Sequence, residues 1–411
     1  MKILFLCNKS PWPPKEGGPI AMNMLIEGLV MAGHSVKVLA INSFKYQVDP
    51  ELIPREYADQ TGIELIGLDL KVKPLAAFLN LFTRRSYHVV RFISERFRNK
   101  LIQVLTSDRY DIVQLETLYL CPYIDTVRKY SEAKIVLRAH NIEHLIWERV
   151  AGEAANPLKR LYLRHLAKTL KEFEMGVLNR LDGIAAITAN DAGFFRNVLE
   201  GEQPSAAGSR WAAVPVIDIP FGIDPEQYPF SPEKAEFPSL FTIGAMNWIP
   251  NEEGVRWFIK NVWPDVHRQY PELKYYLAGR EMPQWMKLLD LTNVVVIGEV
   301  ENAYEFMTSR SIMIVPLFSG SGIRIKIIEG MACGKTIIST RLGAEGIDYT
   351  NRENILIADL PCEFFDMITI CAGDEEYCRQ IGKNGRDLVI RRFNRESIIE
   401  KLVGFYRTIL G

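Results

Sequence analysis

The chain has no run of about 18 apolar residues, the length a membrane-crossing helix needs. It also has no Cys-x-x-Cys pair, no low-complexity tract, no short-period repeat and almost no net charge. Each absence removes a class of protein. No transmembrane segment is expected, and the first apolar run, 3–7, meets Asn8-Lys9 and a proline cluster too soon to form a signal-peptide core. The six cysteines, Cys7, Cys121, Cys333, Cys362, Cys371 and Cys378, are scattered, so reduced thiols and a cytoplasmic setting are expected. A net charge of −1 argues against a nucleic-acid binder, which needs a basic excess.

What is present is ample apolar material. At 411 residues, 48% of them hydrophobic, the chain exceeds one ordinary core and predicts two domains. Strand-like runs at 2–7, 35–41, 63–68, 111–115, 134–139, 183–188 and 212–219 alternate with helical stretches, the longest near 158–180. Gly17-Gly18-Pro19 opens the first helix, which Gly33 stops. The second half repeats the pattern at 240–245, 273–278, 294–300, 311–316, 336–339 and 354–358. Strands alternating with helices imply parallel sheets covered on both faces, hence two doubly wound α/β units with ligands at the C-terminal strand ends. The breaker-rich segment 220–225 is the predicted joint, giving domains 1–220 and 221–392. A last helix occupies 393–411, with Ile398, Leu402 and Phe405 near one face.

The most informative stretch follows the strand at 311–316. Gly320, Ser321 and Gly322 form a turn whose backbone N–H groups can face a ligand. A helix then begins with Ile325, Ile328 and Met331 at helical spacing. A helix N-terminus favours phosphate, Arg324 and Lys326 add full positive charges, and Glu329 is an acceptor suited to a sugar hydroxyl. Diphosphate and ribose recognition fit one short element.

These residues resemble the retaining GT-B glycosyltransferases, in particular glycosyltransferase family 4 (group 1). The resemblance rests on the Gly17-Gly18 turn, the Pro220-Phe221-Gly222-Ile223-Asp224 hinge, and the block Gly320-Ser321-Gly322-Ile323-Arg324-x-Lys326 through Glu329, Met331-Ala332, Gly334-Lys335 and Glu345-Gly346-Ile347. It implies two Rossmann-like domains facing a cleft, with the last helix returning to the first, and sugar transfer with retention from a nucleotide-diphosphate donor to a glycan or lipid-linked acceptor. By that resemblance Gly17, Gly18, Asn247, Val300 and the turn Gly320–Ile323 line the donor site, with Glu329 on the ribose. Arg324 and Lys326 meet the diphosphate, and His140 lies beside the donor sugar. Two departures stand out: the first Glu of the family's paired motif is Ser321 here, and Gly244–Trp248 replaces a segment that usually carries an Arg and a later Lys. Arg324 and Lys326 are expected to supply those missing charges.

Many sugar transferases hold a metal with an Asp-x-Asp triplet, and none occurs in this chain. The helix N-terminus with Arg324 and Lys326 can stabilise the leaving diphosphate without one, so no metal and no cofactor is expected. Glu116, at a predicted strand end, is an acceptor-contact candidate or a structural residue. The pattern His140-Asn141-Ile142-Glu143-His144 fits His-x-x-Glu-His, but a strand-end His140 does not share a helix face with His144, which disfavours zinc. Residues 71–100 carry eight Lys/Arg against one Asp/Glu among exposed-type apolar residues, a face for the inner surface of a membrane or simply a pair of amphipathic surface helices. Two rivals to transfer remain at this stage: a sugar-nucleotide epimerase on the same scaffold, and a non-catalytic binding module.

Overall fold

The computed structural model describes residues 1–14, 17–83, 85–201, 214–320 and 322–411; Ser321 and residues 212–213 of the expected seventh strand lie outside the described residues. The chain divides into two compact units, Met1–Gly222 with Arg395–Gly411, and Ile223–Asn394.

Among the described residues the first unit holds seven strands: β1 (Lys2–Cys7), β2 (Ser35–Ser43), β3 (Glu64–Leu68), β4 (Ile112–Glu116), β5 (Lys134–Ala139), β6 (Gly183–Ala186) and β7 (Val216–Asp218). They pair in the order β3-β2-β1-β4-β5-β6-β7, all parallel. The central strands are apolar runs buried on both faces, as a helix-covered parallel sheet requires. One face packs a core of Leu4, Leu6, Val113, Leu115, Ile135 and Leu137. The helix Arg395–Leu410 belongs to this unit. It lies close enough to the helix Gly17–Met31 that a Cβ on Gly28 would sit 2.5 Å from Ile399 Cγ1.

The second unit holds β8 (Glu236–Ile243), β9 (Lys274–Ala278), β10 (Val294–Gly298), β11 (Arg310–Val315), β12 (Thr336–Ser339) and β13 (Leu356–Ile357), again all parallel, in the order β10-β9-β8-β11-β12-β13. Its core includes Leu240, Phe258, Tyr275, Ile312 and Phe364. Both sheets are therefore doubly wound, and each reverses its strand order once, between β1 and β4 and between β8 and β11. Ligands of such sheets sit beyond the C-terminal strand ends at that reversal. Among the described residues, no helix is long and apolar enough to cross a membrane.

Candidate functional site

At the reversal of the second unit, the turns after β8 and β11 lie side by side. After β11 the chain runs through Pro316 to Gly320 and Gly322, whose φ values of +96° and +81° suit glycine. At Gly320 a Cβ would also strike Trp248 Cζ2 at 2.8 Å, so the turn needs glycine for space as well. Arg324 is the N-cap of the helix Ile325–Ala332, in extended conformation. That helix presses on β11 so tightly that a Cβ on Gly330 would lie 2.7 Å from Met313 Sδ.

The cationic side chains are held in place. Arg324 is 5% exposed. Its Nη1 donates to the Gly322 carbonyl at 2.6 Å, and its guanidinium carbon is 5.2 Å from the Trp248 ring centroid. Lys326 Nζ donates to Asn251 Oδ1 at 2.7 Å, and Asn251 in turn donates to the Ala245 carbonyl at 2.9 Å. Burial, reinforced by the Arg324 charge, lowers the Lys326 amine to about 7. One turn on, burial pushes the Glu329 carboxyl up to about 7, against the hydrogen bond that its Oε1 accepts from Tyr228 Oη at 3.2 Å. Two ionisable groups of opposite type on one short helix are thus shifted toward neutrality, a perturbation that clusters at functional sites.

The other candidates of this unit are less concentrated. Asn247 is exposed on the turn after β8, beside Trp248. Ile323 is half-buried in the turn itself. Val300 lies just past β10, the edge strand, separated from β11 by β9 and β8. A salt bridge between Lys326 and Glu329, conceivable from their spacing, is not how these side chains are used: each bonds a different partner.

At the reversal of the first unit buried polar groups form a string. His140 follows β5, and its Nε2 lies 2.6 Å from Glu116 Oε2 at the end of β4. Gln114 Nε2 donates to Glu116 Oε1 at 2.5 Å, and Tyr406 Oη on the last helix donates to Gln114 Oε1. Arg138, fully buried on the neighbouring strand, places Nε 3.9 Å from Glu116 Oε2. Burial lowers its guanidinium, offset by the Glu116 charge. Glu116 is itself fully enclosed, so it is a partner of His140 and not a surface group for an acceptor. A carboxylate oxygen can only accept, so as a hydrogen bond to a carboxylate this contact has the His140 Nε2–H as donor.

His144 points elsewhere: its Nδ1 is 2.6 Å from Glu174 Oε2, and the Glu174 carboxylate also accepts from the backbone N–H groups of Glu143 and His144. Glu143 is a buried acid pushed up to about 7, chiefly by burial, with Tyr119 Oη donating to it at 2.8 Å. The two histidines of the His-x-x-Glu-His pattern therefore serve two separate carboxylates. Gly17 and Gly18 begin the helix after β1, and a Cβ on Gly18 would meet only the flexible end of Lys9, at 2.9 Å.

Sequence reasoning missed Asn251, Tyr228, Gln114, Arg138 and Glu174. A signal existed for some of them. Gln114, Glu116 and Arg138 are polar residues in strands otherwise apolar on both faces, and buried polar groups demand partners. Trp248 is 36% exposed and has the Arg324 guanidinium over its ring.

With this geometry in place, the similarities are informative. Both units have the doubly wound sheets of the GT-B fold, and solved structures of that fold match over the full chain. They include a sucrose-phosphate synthase from Thermosynechococcus elongatus (17% identity, TM-score 0.71, covering 100% of this chain and 99% of that one). Another is HepE of Anabaena in complex with UDP (15% identity, TM-score 0.67, 99% and 100%). Residues 237–374, which contain the whole Gly320–Glu329 element, match the family described as Glycosyl transferases group 1. A relative from Klebsiella pneumoniae, described as an uncharacterized 44.6 kDa protein in the cps region, is 21% identical over 371 residues, 87% of each chain.

Proposed function

We propose that this protein is a glycosyltransferase that takes a sugar from a nucleotide-diphosphate donor. The observation that carries this reading is a pair of cations, buried Arg324 and half-buried Lys326, at a helix N-terminus beyond the strand-order reversal, with Glu329 one turn further on. That arrangement matches a diphosphate followed by a ribose. The group 1 match of this segment and the UDP and UDP-glucose held by HepE point the same way.

In this mechanism the glycosidic bond to the β-phosphate breaks and negative charge grows on the leaving diphosphate. The backbone N–H groups of the helix N-terminus, Arg324 and Lys326 stabilise that charge. Lys326 enters the step protonated, because an adjacent phosphate raises an amine that is otherwise held near 7. Glu329 accepts hydrogen bonds from the ribose hydroxyls and fixes the nucleotide without touching the anomeric carbon. His140, held by Glu116, is the first unit's residue assigned to the transferred sugar. The reaction proceeds with retention and without a metal: the leaving phosphate takes the acceptor proton on the face it departs from. The acceptor is a glycan or lipid-linked sugar, in keeping with a relative from a cps region.

The test is product analysis. Nucleotide sugars are supplied with and without polyprenyl-linked sugar acceptors, and the anomeric configuration of any product is read by NMR. Acceptor-dependent release of nucleoside diphosphate with retained configuration supports the proposal. An altered sugar formed from donor alone identifies an epimerase, and tight nucleotide binding with no turnover on any acceptor identifies a binding module.

A further inference from the structure

Two stretches of the first unit, far apart in sequence, share an unusual composition. Residues 70–94 contain Lys71, Lys73, Arg84, Arg85 and Arg91 and no Asp or Glu. Residues 154–171 contain Lys159, Arg160, Arg164, Lys168 and Lys171 and again no acid. In a chain of net charge −1 these stretches are local basic excesses. Each also exposes large apolar side chains: Val72, Leu75, Leu79 and Phe82 in the first, Leu158 and Leu161 in the second.

The fold brings them together. Tyr87 packs in one cluster with Leu163 and Leu166 of the helix Pro157–Leu178. The same Tyr87 accepts at Oη from the Lys73 backbone N–H at 3.0 Å, and Arg91 Nη1 donates to the Leu70 carbonyl at 3.0 Å. Leu70 and Lys73, just before the short helix Pro74–Asn80, are thus bonded to the segment that packs on Pro157–Leu178. On the latter, Leu161, Arg164 and Lys168 fall at i, i+3 and i+7 and are all exposed, so apolar and basic groups share one face. Lys71 adds to this surface, lying 4.5 Å over the ring of exposed Phe44. Asp69, Glu148 and Glu172 border the area and leave an excess of exposed cations.

We infer that this composite face docks the protein on a bilayer rich in anionic lipid. Exposed leucines among lysines and arginines are the chemistry of an interfacial surface: the apolar side chains enter the headgroup–acyl boundary and the cations meet lipid phosphates. Charge excludes the simplest protein occupant. Two copies of this face would oppose like charges, so self-association through it is disfavoured. The inference is independent of the donor reading, since docking is read without catalysis.

The experiment is co-sedimentation of the full chain with vesicles of phosphatidylcholine alone or with about a quarter phosphatidylglycerol, an anionic surface of ordinary strength. Binding to the anionic vesicles, weakened by salt, and little to the neutral ones is expected. Leu75→Ser with Leu79→Ser, and separately Leu158→Ser with Leu161→Ser, should each cut partitioning by about tenfold or more. Lys71→Gln with Lys73→Gln should lower it by about fivefold per lysine. All these side chains are exposed, and circular dichroism melts confirm folding. Equal binding to both vesicle types, or to neither, overturns the inference. So does a Leu158/Leu161 variant that binds as the wild type does, because the composite face would then not exist. A dimer by size exclusion that the leucine variants abolish, with no vesicle binding, assigns the face to a second copy and overturns it as well.

Discussion

The two sheets reverse at equivalent places, yet their polar groups beyond the reversal are organised in opposite ways. In the first unit Glu116 has both carboxylate oxygens engaged, by His140 and Gln114, with Arg138 beside it and Tyr406 closing the string from the last helix. In the second, Lys326 is held by a neutral amide oxygen and its charge is opposed by burial and by Arg324. The first arrangement holds both signs of charge and fixes one histidine, although the three guanidinium nitrogens of Arg138 lack a hydrogen-bond partner among the described residues. In the second the hydrogen bond of Lys326 goes to a neutral amide, and under the proposed function the donor diphosphate would bring the counter-charge. The proposed function reads the first as a positioning site and the second as a binding site.

The sharpest way to break that comparison is to remove one partner from each. Glu116→Ala leaves the Arg138 guanidinium buried without its carboxylate, and loss of one partner of a buried pair costs roughly 3–5 kcal/mol. Urea denaturation should show that loss in the first unit. Lys326→Met should cost less than about 1 kcal/mol, because a partly buried ammonium is replaced by an apolar group of similar length. Equal losses would erase the distinction between a site that stabilises the fold and one that awaits a ligand.

Activity should respond the other way. Arg324→Ala with Lys326→Ala should lose transition-state stabilisation on the order of 2–4 kcal/mol, the range for preorganised donors on developing charge. Single-turnover rates with folding confirmed measure this, and near-normal rates would remove the assigned role.

A smaller effect appears in pH. Bound phosphate raises the Lys326 amine, so above its free value of about 7 binding takes up a proton and affinity falls as pH rises. Ribose hydroxyls donating to Glu329 favour its ionised form, so below its free value of about 7 binding releases a proton and affinity falls as pH drops. Affinity for an intact nucleotide sugar, whose doubly esterified diphosphate stays ionised throughout, should therefore peak near neutrality. Each limb can approach a tenfold change per pH unit, about 1.4 kcal/mol. Calorimetry across pH should find the alkaline limb gone in Lys326→Arg and the acid limb gone in Glu329→Gln. If both limbs persist in both variants, other groups titrate.

The smallest expected effect is that of chelation. EDTA should leave the transfer rate within about twofold, since the charge on the leaving group is met by the helix and its two cations. A complete loss restored by manganese would assign that role to a metal.

The fold was largely legible in the sequence, because strands buried on both faces read as short apolar runs. β1, β5 and β12 begin and end where the sequence places them. The second unit's turn was legible too, since Gly320, Gly322, Arg324, Lys326 and Glu329 lie within ten residues of one another. Their partners were not: Asn251 is 75 positions from Lys326 and Tyr228 is 101 from Glu329, and only the parallel sheet brings them together. The same holds for Tyr406 and Gln114, 292 positions apart, because the last helix joins the first unit across the whole intervening second unit. The second basic stretch, 154–171, is joined to the first only through the packing of Tyr87 on Leu163 and Leu166, which sequence separation hides.

The most direct test of the central claim is a thermal-shift titration of wild type and the Arg324→Ala/Lys326→Ala double variant with UDP, GDP, ADP and TDP. A ligand that binds only the folded state raises Tm in step with its excess over Kd. The account predicts that at least one of these nucleotides raises the wild-type Tm in a dose-dependent way and that none shifts the double variant comparably. Equal shifts in both proteins, or no shift of the wild type by any of the four, would contradict it.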